Sequence, residues 1–210
     1  MNNFQSKIFK NLVLEKEGVE KEATECQKIH NELKLADFSF YKNIPLTSDF
    51  TETAEEETDF YTGSGFYFDK KNMSVVHQMP QGRADSKLNH FVHSKNSPLT
   101  QEVKEKLNLK SCQVQRNRQL PGRVTYTHFD ICSNFTLKTV EKEYENFTTT
   151  DLKKFIIFLD DWQFGQIFMF PNDNLIKWKK FDVYSFPWYV LHSTANCSDA
   201  YKDLLIVTGV

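Results

Sequence analysis

Short apolar runs and period-two alternation dominate the second half of the chain, while the first half mixes patterns. Phe155-Ile156-Ile157-Phe158-Leu159 has the length and β-rich composition of a buried strand. Around it the pattern predicts strands over 112–118 (CQVQRNR), 123–131, 165–170, 183–186, 188–194 and 203–207. Leu120-Pro121-Gly122 is a turn between the first two. No amphipathic run of helix length interrupts this series. Residues 112–210 therefore read as an all-β sandwich or barrel, for which the jelly roll is one solution.

Upstream, Cys26, Ile29 and Leu33 recur at helical spacing and predict an amphipathic helix from Val19 to Leu35. Residues 1–14 alternate loosely and fit a short strand or helix. Ser97-Pro98-Leu99-Thr100-Gln101-Glu102 carries helix-start signals, with acid in the first turn, and predicts a helix to about Leu107. Residues 36–98 hold no regular period. Asp49 to Asp59 has six carboxylates and no basic residue, and reads as a solvated loop. Phe60, Tyr61, Phe66, Tyr67 and Phe68 follow, broken by Gly63-Ser64-Gly65. A long aperiodic stretch of this kind is a candidate substrate lid. The expected organisation is one domain over 1–210, mainly β with N-terminal helices. Residues 1–111 supply helical and loop elements with the lid, and 112–210 form the core.

The 210 residues, 40% hydrophobic, fit one globular domain, and 19 phenylalanines against seven glycines make Phe the chief core residue. A formal net charge of −2 gives no general electrostatic reason to expect nucleic acid. Cys26, Cys112, Cys132 and Cys197 show no CxxC spacing, which argues against structural zinc and against a disulfide framework. The first residues lack the apolar run of a signal peptide, and no apolar stretch of membrane-spanning length occurs. A cytoplasmic protein without a membrane partner is expected. The Asn-x-Ser/Thr matches at Asn72, Asn134, Asn146 and Asn196 then carry no glycan meaning.

The candidate chemistry lies in Tyr126-Thr127-His128-Phe129-Asp130, read with His192. A His-x-Asp pair and a lone histidine roughly sixty residues later match a two-histidine, one-carboxylate facial triad, which leaves open positions on a ferrous ion. On an extended strand His128 and Asp130 point to one face, and the third ligand must come from a strand folded back beside them. Tyr126 shares that face. Cys132 would fall one step further along it, where a thiol risks oxidation, so the strand is expected to bend away after Asp130. His90-x-x-His93 is a rival metal pair, without a carboxylate or cysteine at supporting spacing.

These motifs in order resemble the ferrous iron and 2-oxoglutarate-dependent oxygenases over roughly residues 112–210. The resemblance rests on Pro121-Gly122 before Tyr126-Thr127-His128-Phe129-Asp130, then Ile157-Phe158-Leu159-Asp160-Asp161-Trp162 and Trp178-Lys179-Lys180-Phe181-Asp182-Val183. Phe186-Pro187-Trp188 before His192, and the closing Leu204 to Gly209, complete it. It implies a double-stranded β-helix of jelly-roll type, Fe(II) held by His128, Asp130 and His192, and hydroxylation coupled to decarboxylation of 2-oxoglutarate.

The cosubstrate's distal carboxylate then needs a cation. Many family members place an Arg there with Ser or Thr two residues on; this chain has Lys202 and Leu204. Collagen-type prolyl 4-hydroxylases use Lys at that place, which tilts the substrate toward a peptidyl proline, with a small amino acid or a nucleobase also open. Lys153 and Lys154 are the alternative cations, entering their strand as a lysine does in asparaginyl hydroxylases and the JmjC branch, and Asn134 matches that branch loosely. Phe181 stands where the family usually has a turn glycine. A non-enzymatic jelly-roll binding module, and a cupin-like metalloenzyme that does not use 2-oxoglutarate, are the alternatives.

Overall fold

The structure is a computed structural model that describes residues 28–50, 57–59, 67–69, 74–76, 88–93, 96–128 and 153–210. For 57–59, 67–69, 74–76, 88–92, 126 and 128 the description is of the backbone. The strands are β1 (Ser39–Asn43), β2 (Glu57–Asp59), β3 (Tyr67–Asp69), β4 (Ser74–Val76) and β5 (Leu88–His93), followed by helix α1 (Pro98–Leu107). Then come β6 (Cys112–Gln119), β7 (Arg123–His128), β8 (Lys153–Phe158), β9 (Gln166–Met169), β10 (Asn174–Leu175), β11 (Asp182–Phe186), β12 (His192–Asn196) and β13 (Lys202–Gly209).

Seven strands pair in the order β1-β11-β8-β13-β6-β5-β2, four in the order β10-β9-β12-β7, and β3 with β4 alone. From β6 to β9 successive strands lie alternately in the large and the small sheet, and β11, β12 and β13 repeat the alternation. This winding between two facing antiparallel sheets is the jelly roll.

The alternation along β8 explains why its sequence is apolar throughout. Phe155 and Ile157 pack on one face with Leu205 and Val207 of β13, and with Leu99, Val103 and Leu107 of α1. Ile156 and Phe158 face the other way with Leu204 and Ile206, toward Phe168, Phe170, Trp178 and Phe186. Buried on both faces, the strand shows no polar alternation. Phe158 stacks on Trp178 with centroids 3.9 Å apart and planes 10° from parallel. The inner face of the large sheet, turned toward the small one, is where the candidate site lies.

Helix α1 begins as expected. Ser97 Oγ accepts from the Thr100 amide at 3.1 Å and Pro98 fills the first turn. The first turn holds no acid. Glu102 instead accepts from the amides of Thr47 (2.8 Å) and Ser48 (2.7 Å) and ties the segment after β1 to the helix. Burial alone would raise its pKa, but the hydrogen bonds from Ser48 and Thr47 outweigh that and hold the carboxyl at about 2. The helix ends at Asn108, whose left-handed φ of 54° closes the cap.

Several expectations are corrected. Residues 28–32 are helical and 19–27 lie outside the described residues, but Ile29 and Leu33 are exposed while His30 is buried. The reason is polar: His30 Nε2 pairs with Asp37 Oδ1 at 2.9 Å, and Asp37 also accepts from the Asn172 amide at 2.6 Å. The strand expected over 188–194 is a turn up to residue 191, with the Val190 amide bonded to the Pro187 carbonyl at 3.1 Å, and β12 runs on to Asn196. The stretch 36–98 is not merely loop, since β1, β2 and β5 extend the large sheet. Of the acidic run, Glu57–Asp59 is strand and 51–56 lie outside the described residues.

Phe181 turns without glycine by adopting φ 67° itself, with its amide bonded to the Phe158 carbonyl at 2.7 Å and its carbonyl taking the Ile44 amide at 2.9 Å. Gly165 cannot be replaced so freely. Its φ is +95°, and a Cβ there would lie 2.8 Å from the Cys197 carbonyl carbon. Gly165→Ala should cost about 1–3 kcal/mol, the usual cost of a strained backbone position. Urea unfolding measures it, and an unchanged midpoint would show that the turn relaxes.

Candidate active site

The register of the small sheet builds the site. β12 pairs antiparallel with β7 so that His192 stands opposite His128, Thr194 opposite Thr125 and Asn196 opposite Arg123. Between the first two pairs β7 advances three residues and β12 two, so β7 carries a bulge beside His128. The extra residue resets the alternation. Thr125 is bonded through its hydroxyl to Gln119 of the facing sheet. Directly opposed residues have Cβ atoms about 4.5–5.5 Å apart, close enough for two imidazoles to share one ion. The side chains of Tyr126 and His128 are not described, and Asp130, Cys132 and Asn134 lie outside the described residues.

His192 is 4% exposed and walled by phenylalanines. Phe168 stacks on it at 5.7 Å and 23°, Phe170 lies 6.1 Å away, and Phe186 meets it edge-on at 5.4 Å. Its Nδ1 lies 3.0 Å from the Val190 carbonyl. A carbonyl only accepts, so Nδ1 carries the hydrogen, and in the neutral form of the ring the lone pair is then on Nε2. A second partner that fixes the tautomer in this way is usual for a metal-bound histidine.

Lys202 is 2% exposed and enters the same interior. Its Nζ donates to the carbonyls of Ile167 and Ala195, both at 3.1 Å, and to Thr194 Oγ1, and lies 5.4 Å from the Phe168 ring centre. None of these acceptors is charged. Burial holds the Lys202 pKa well below the usual lysine value, the thiol of Cys197 opposing this weakly. The adjacent carboxylate is on the other face. Asp203 pairs there with Arg116 (2.9 Å to Nε) and Arg118 (3.0 Å to Nε), and is spent on them.

The other lysines separate. Lys153 is exposed, so its candidacy for the interior is corrected: alternation sends it to the opposite face from Lys154. Lys154 is buried, shares the inward face with Ile156 and Phe158, and holds Nζ 5.9 Å from the Phe186 ring centre. Along the interior the order is thus Lys202, Phe168, His192, Phe186, Lys154. The rival pair fails for the same geometric reason. His90 and His93 stand opposite Asn117 and Val114 of β6 in the backbone register, and three residues apart is the odd spacing that an unbroken strand does not bring to one face. His93 is buried, and burial, with the Arg116 charge nearby, lowers its pKa.

The inner face of β6 is polar, and this was not read from the sequence. Gln113, Gln115, Asn117 and Gln119 alternate with Cys112, Val114 and Arg116, which face α1 and the Asp203 pair. An amide at every second position of CQVQRNRQ was the available signal. Gln119 bridges to the facing sheet, its Nε2 donating to the Thr194 carbonyl at 3.2 Å and its Oε1 lying 3.4 Å from Thr194 Oγ1.

No protein-family profile and no curated protein matches the chain. Solved structures do. A viral collagen prolyl hydroxylase from Paramecium Bursaria Chlorella virus-1, in its 2OG complex, is 17% identical over 60% of this chain and 79% of its own, with a TM-score of 0.40. A Pseudomonas putida prolyl-4-hydroxylase is 12% identical over 69% of this chain and 76% of its own, also at 0.40. A cupin domain from Bordetella pertussis tohama i is 14% identical over 61% of this chain and 97% of its own, at 0.36.

Proposed function

We propose that the chain is an Fe(II)- and 2-oxoglutarate-dependent dioxygenase. The observation that carries this reading is the β7–β12 register, in which the backbone of His128 stands opposite that of His192. His192 fits the metal, since its Nδ1–H is committed to Val190 and its Nε2 lone pair is not needed for that bond. Asp130, two residues past His128, supplies the carboxylate of the donor set. Two imidazoles and one carboxylate suit ferrous iron and leave positions for other ligands. When bound, the iron would supply oxygen activation and a seat for the keto acid end of 2-oxoglutarate; the protein's part is to position, orient and exclude.

Lys202 does the positioning. An ammonium in a low-dielectric interior is costly unless it meets an anion, and the distal carboxylate of 2-oxoglutarate is the anion this reading supplies. Phe168 fills the gap between Lys202 and His192 and limits water beside both. Tyr126 would add its hydroxyl from β7. The hydroxylated substrate we favour is a peptidyl proline, because Lys202 sits where collagen-type prolyl 4-hydroxylases carry their lysine, and the protein works in the cytoplasm. Within residues 36–98, the acidic and aromatic stretch from Asp49 to Phe68 would serve as its lid.

An anaerobic titration with ferrous iron and then 2-oxoglutarate tests this. A visible charge-transfer band should appear with both together and with neither alone. Iron binding and oxygen consumption that ignore 2-oxoglutarate would favour a cupin-like metalloenzyme instead. Absence of iron binding would leave a jelly-roll binding module.

A further inference from the structure

We propose that Gln113, Gln115 and Asn117 form an amide ladder that binds the main chain of an extended peptide substrate. This rests on the oxygenase reading for the reaction, and draws the substrate class from β6 rather than from Lys202. The unshifted register of β6 with β13 sets Asn117 opposite Leu204, Gln115 opposite Ile206 and Gln113 opposite Thr208. Leu204 and Ile206 belong to the inward cluster around Phe168, Phe170 and Phe186, so the three amides share that face. All three are half-buried. The row also runs alongside the metal face. Gln119 is level with Lys202, while Gln113 is level, through Thr208, with Lys154. His192 lies between those two lysines.

The hydrogen-bonding capacity of the row decides what it fits. Gln115 Nε2 donates to Gln113 Oε1 at 3.3 Å. That bond orders the pair and leaves a donor on Gln113 and an acceptor on Gln115; turning both amides over only exchanges the two. Asn117 Oδ1 is shut away from water and accepts from no group among the described residues. A buried acceptor in that state is costly, and an incoming N–H would satisfy it. The matching ligand therefore offers donors and acceptors together, without charge, and repeats them. Gln113 to Asn117 covers about 13 Å at a strand rise of roughly 3.3 Å per residue, more than one amino acid or one nucleobase spans. An extended peptide repeats its N–H and C=O groups with the same two-residue period as the ladder.

The test uses the full chain, loaded with Mn(II) and 2-oxoglutarate and immobilised. It is offered a pooled library of nine-residue peptides with a central proline, and the same library N-methylated at every flanking residue. Retained peptide is read by mass spectrometry. N-methylation removes main-chain donors and keeps the side chains, so wild type should retain the first library about tenfold better than the second, the effect of one or two hydrogen bonds. Gln113→Met/Gln115→Met keeps the side-chain length and removes both amides. It should retain about tenfold less of the first library and lose most of the preference between the two, with melting and 2-oxoglutarate affinity as in wild type. Gln115→Met alone, read in the same way, replaces the double variant where that protein melts early. Retention equal to wild type, or a loss that leaves the preference between libraries unchanged, would overturn the proposal. Wild type that binds 2-oxoglutarate but retains neither library would overturn the peptide assignment and leave the oxygenase reading standing. Wild type that binds Mn(II) but no 2-oxoglutarate would overturn that reading, and this inference with it.

Discussion

His192→Ala is expected to abolish stoichiometric ferrous binding while the chain stays folded, and His128→Ala to do the same. The two residues stand opposite each other in the β7–β12 ladder, so each would supply one imidazole to the same ion. Loss of a mere supporting hydrogen bond to a metal ligand costs about 10–100-fold in affinity. Loss of the ligand itself should exceed that range. Truncating His192 also leaves a space among Phe168, Phe170 and Phe186, so some stability is lost with the metal. Anaerobic titration with Fe(II), read by bound metal after desalting, separates the two effects, because circular dichroism reports folding independently. Full iron occupancy in His192→Ala would sink the triad. Asp130→Ala tests the third member in the same assay.

How much of this was legible in the sequence depends on which forces set each element. The apolar strand at 155–159 was, because burial on both faces leaves an unmistakable run. Helix α1 was as well, since Ser97 and Pro98 are local signals. The expected strand stopped at Thr194 and missed the last two residues of β12, because polar Thr194 and Asn196 give no apolar signal there. They are buried by polar contacts to Gln119, Ile167 and Ala200, and no hydropathy pattern encodes partners that distant. His30 was missed as the buried face of its helix for the same reason, its partner Asp37 lying past the helix end. In the site, the spacing pointed to His128 and His192, and the alternation of the last strand put Lys202 inward with Leu204 and Ile206. The choice between Lys153 and Lys154 needed the register of β8 against β11 and β13. The bulge in β7 was invisible, since it depends on the partner strand.

Lys202→Met should weaken 2-oxoglutarate binding by about thirtyfold or more, with iron binding nearly unchanged. Truncating one member of a buried charge pair costs about 2–5 kcal/mol, and each 1.4 kcal/mol or so is a factor of ten. Lys154 is the internal rival, because it too faces the interior, on the far side of His192 from Lys202. If Lys154→Met destroys 2-oxoglutarate affinity and Lys202→Met spares it, the anchor is on β8 and the assignment is wrong. A second readout needs no cosubstrate. Burial lowers the Lys202 pKa in the folded chain, so between the folded and unfolded values the unfolded chain binds more protons. The sign follows: this lysine destabilises the fold most below its folded pKa, and the cost fades as pH rises toward its ordinary value of 10.5. Wild-type stability, compared with that of Lys202→Met by urea unfolding from about pH 7 to about pH 9.5, should therefore gain with rising pH. Parallel pH profiles for the two proteins would mean that Lys202 stays charged in the folded state, already paired before any cosubstrate arrives.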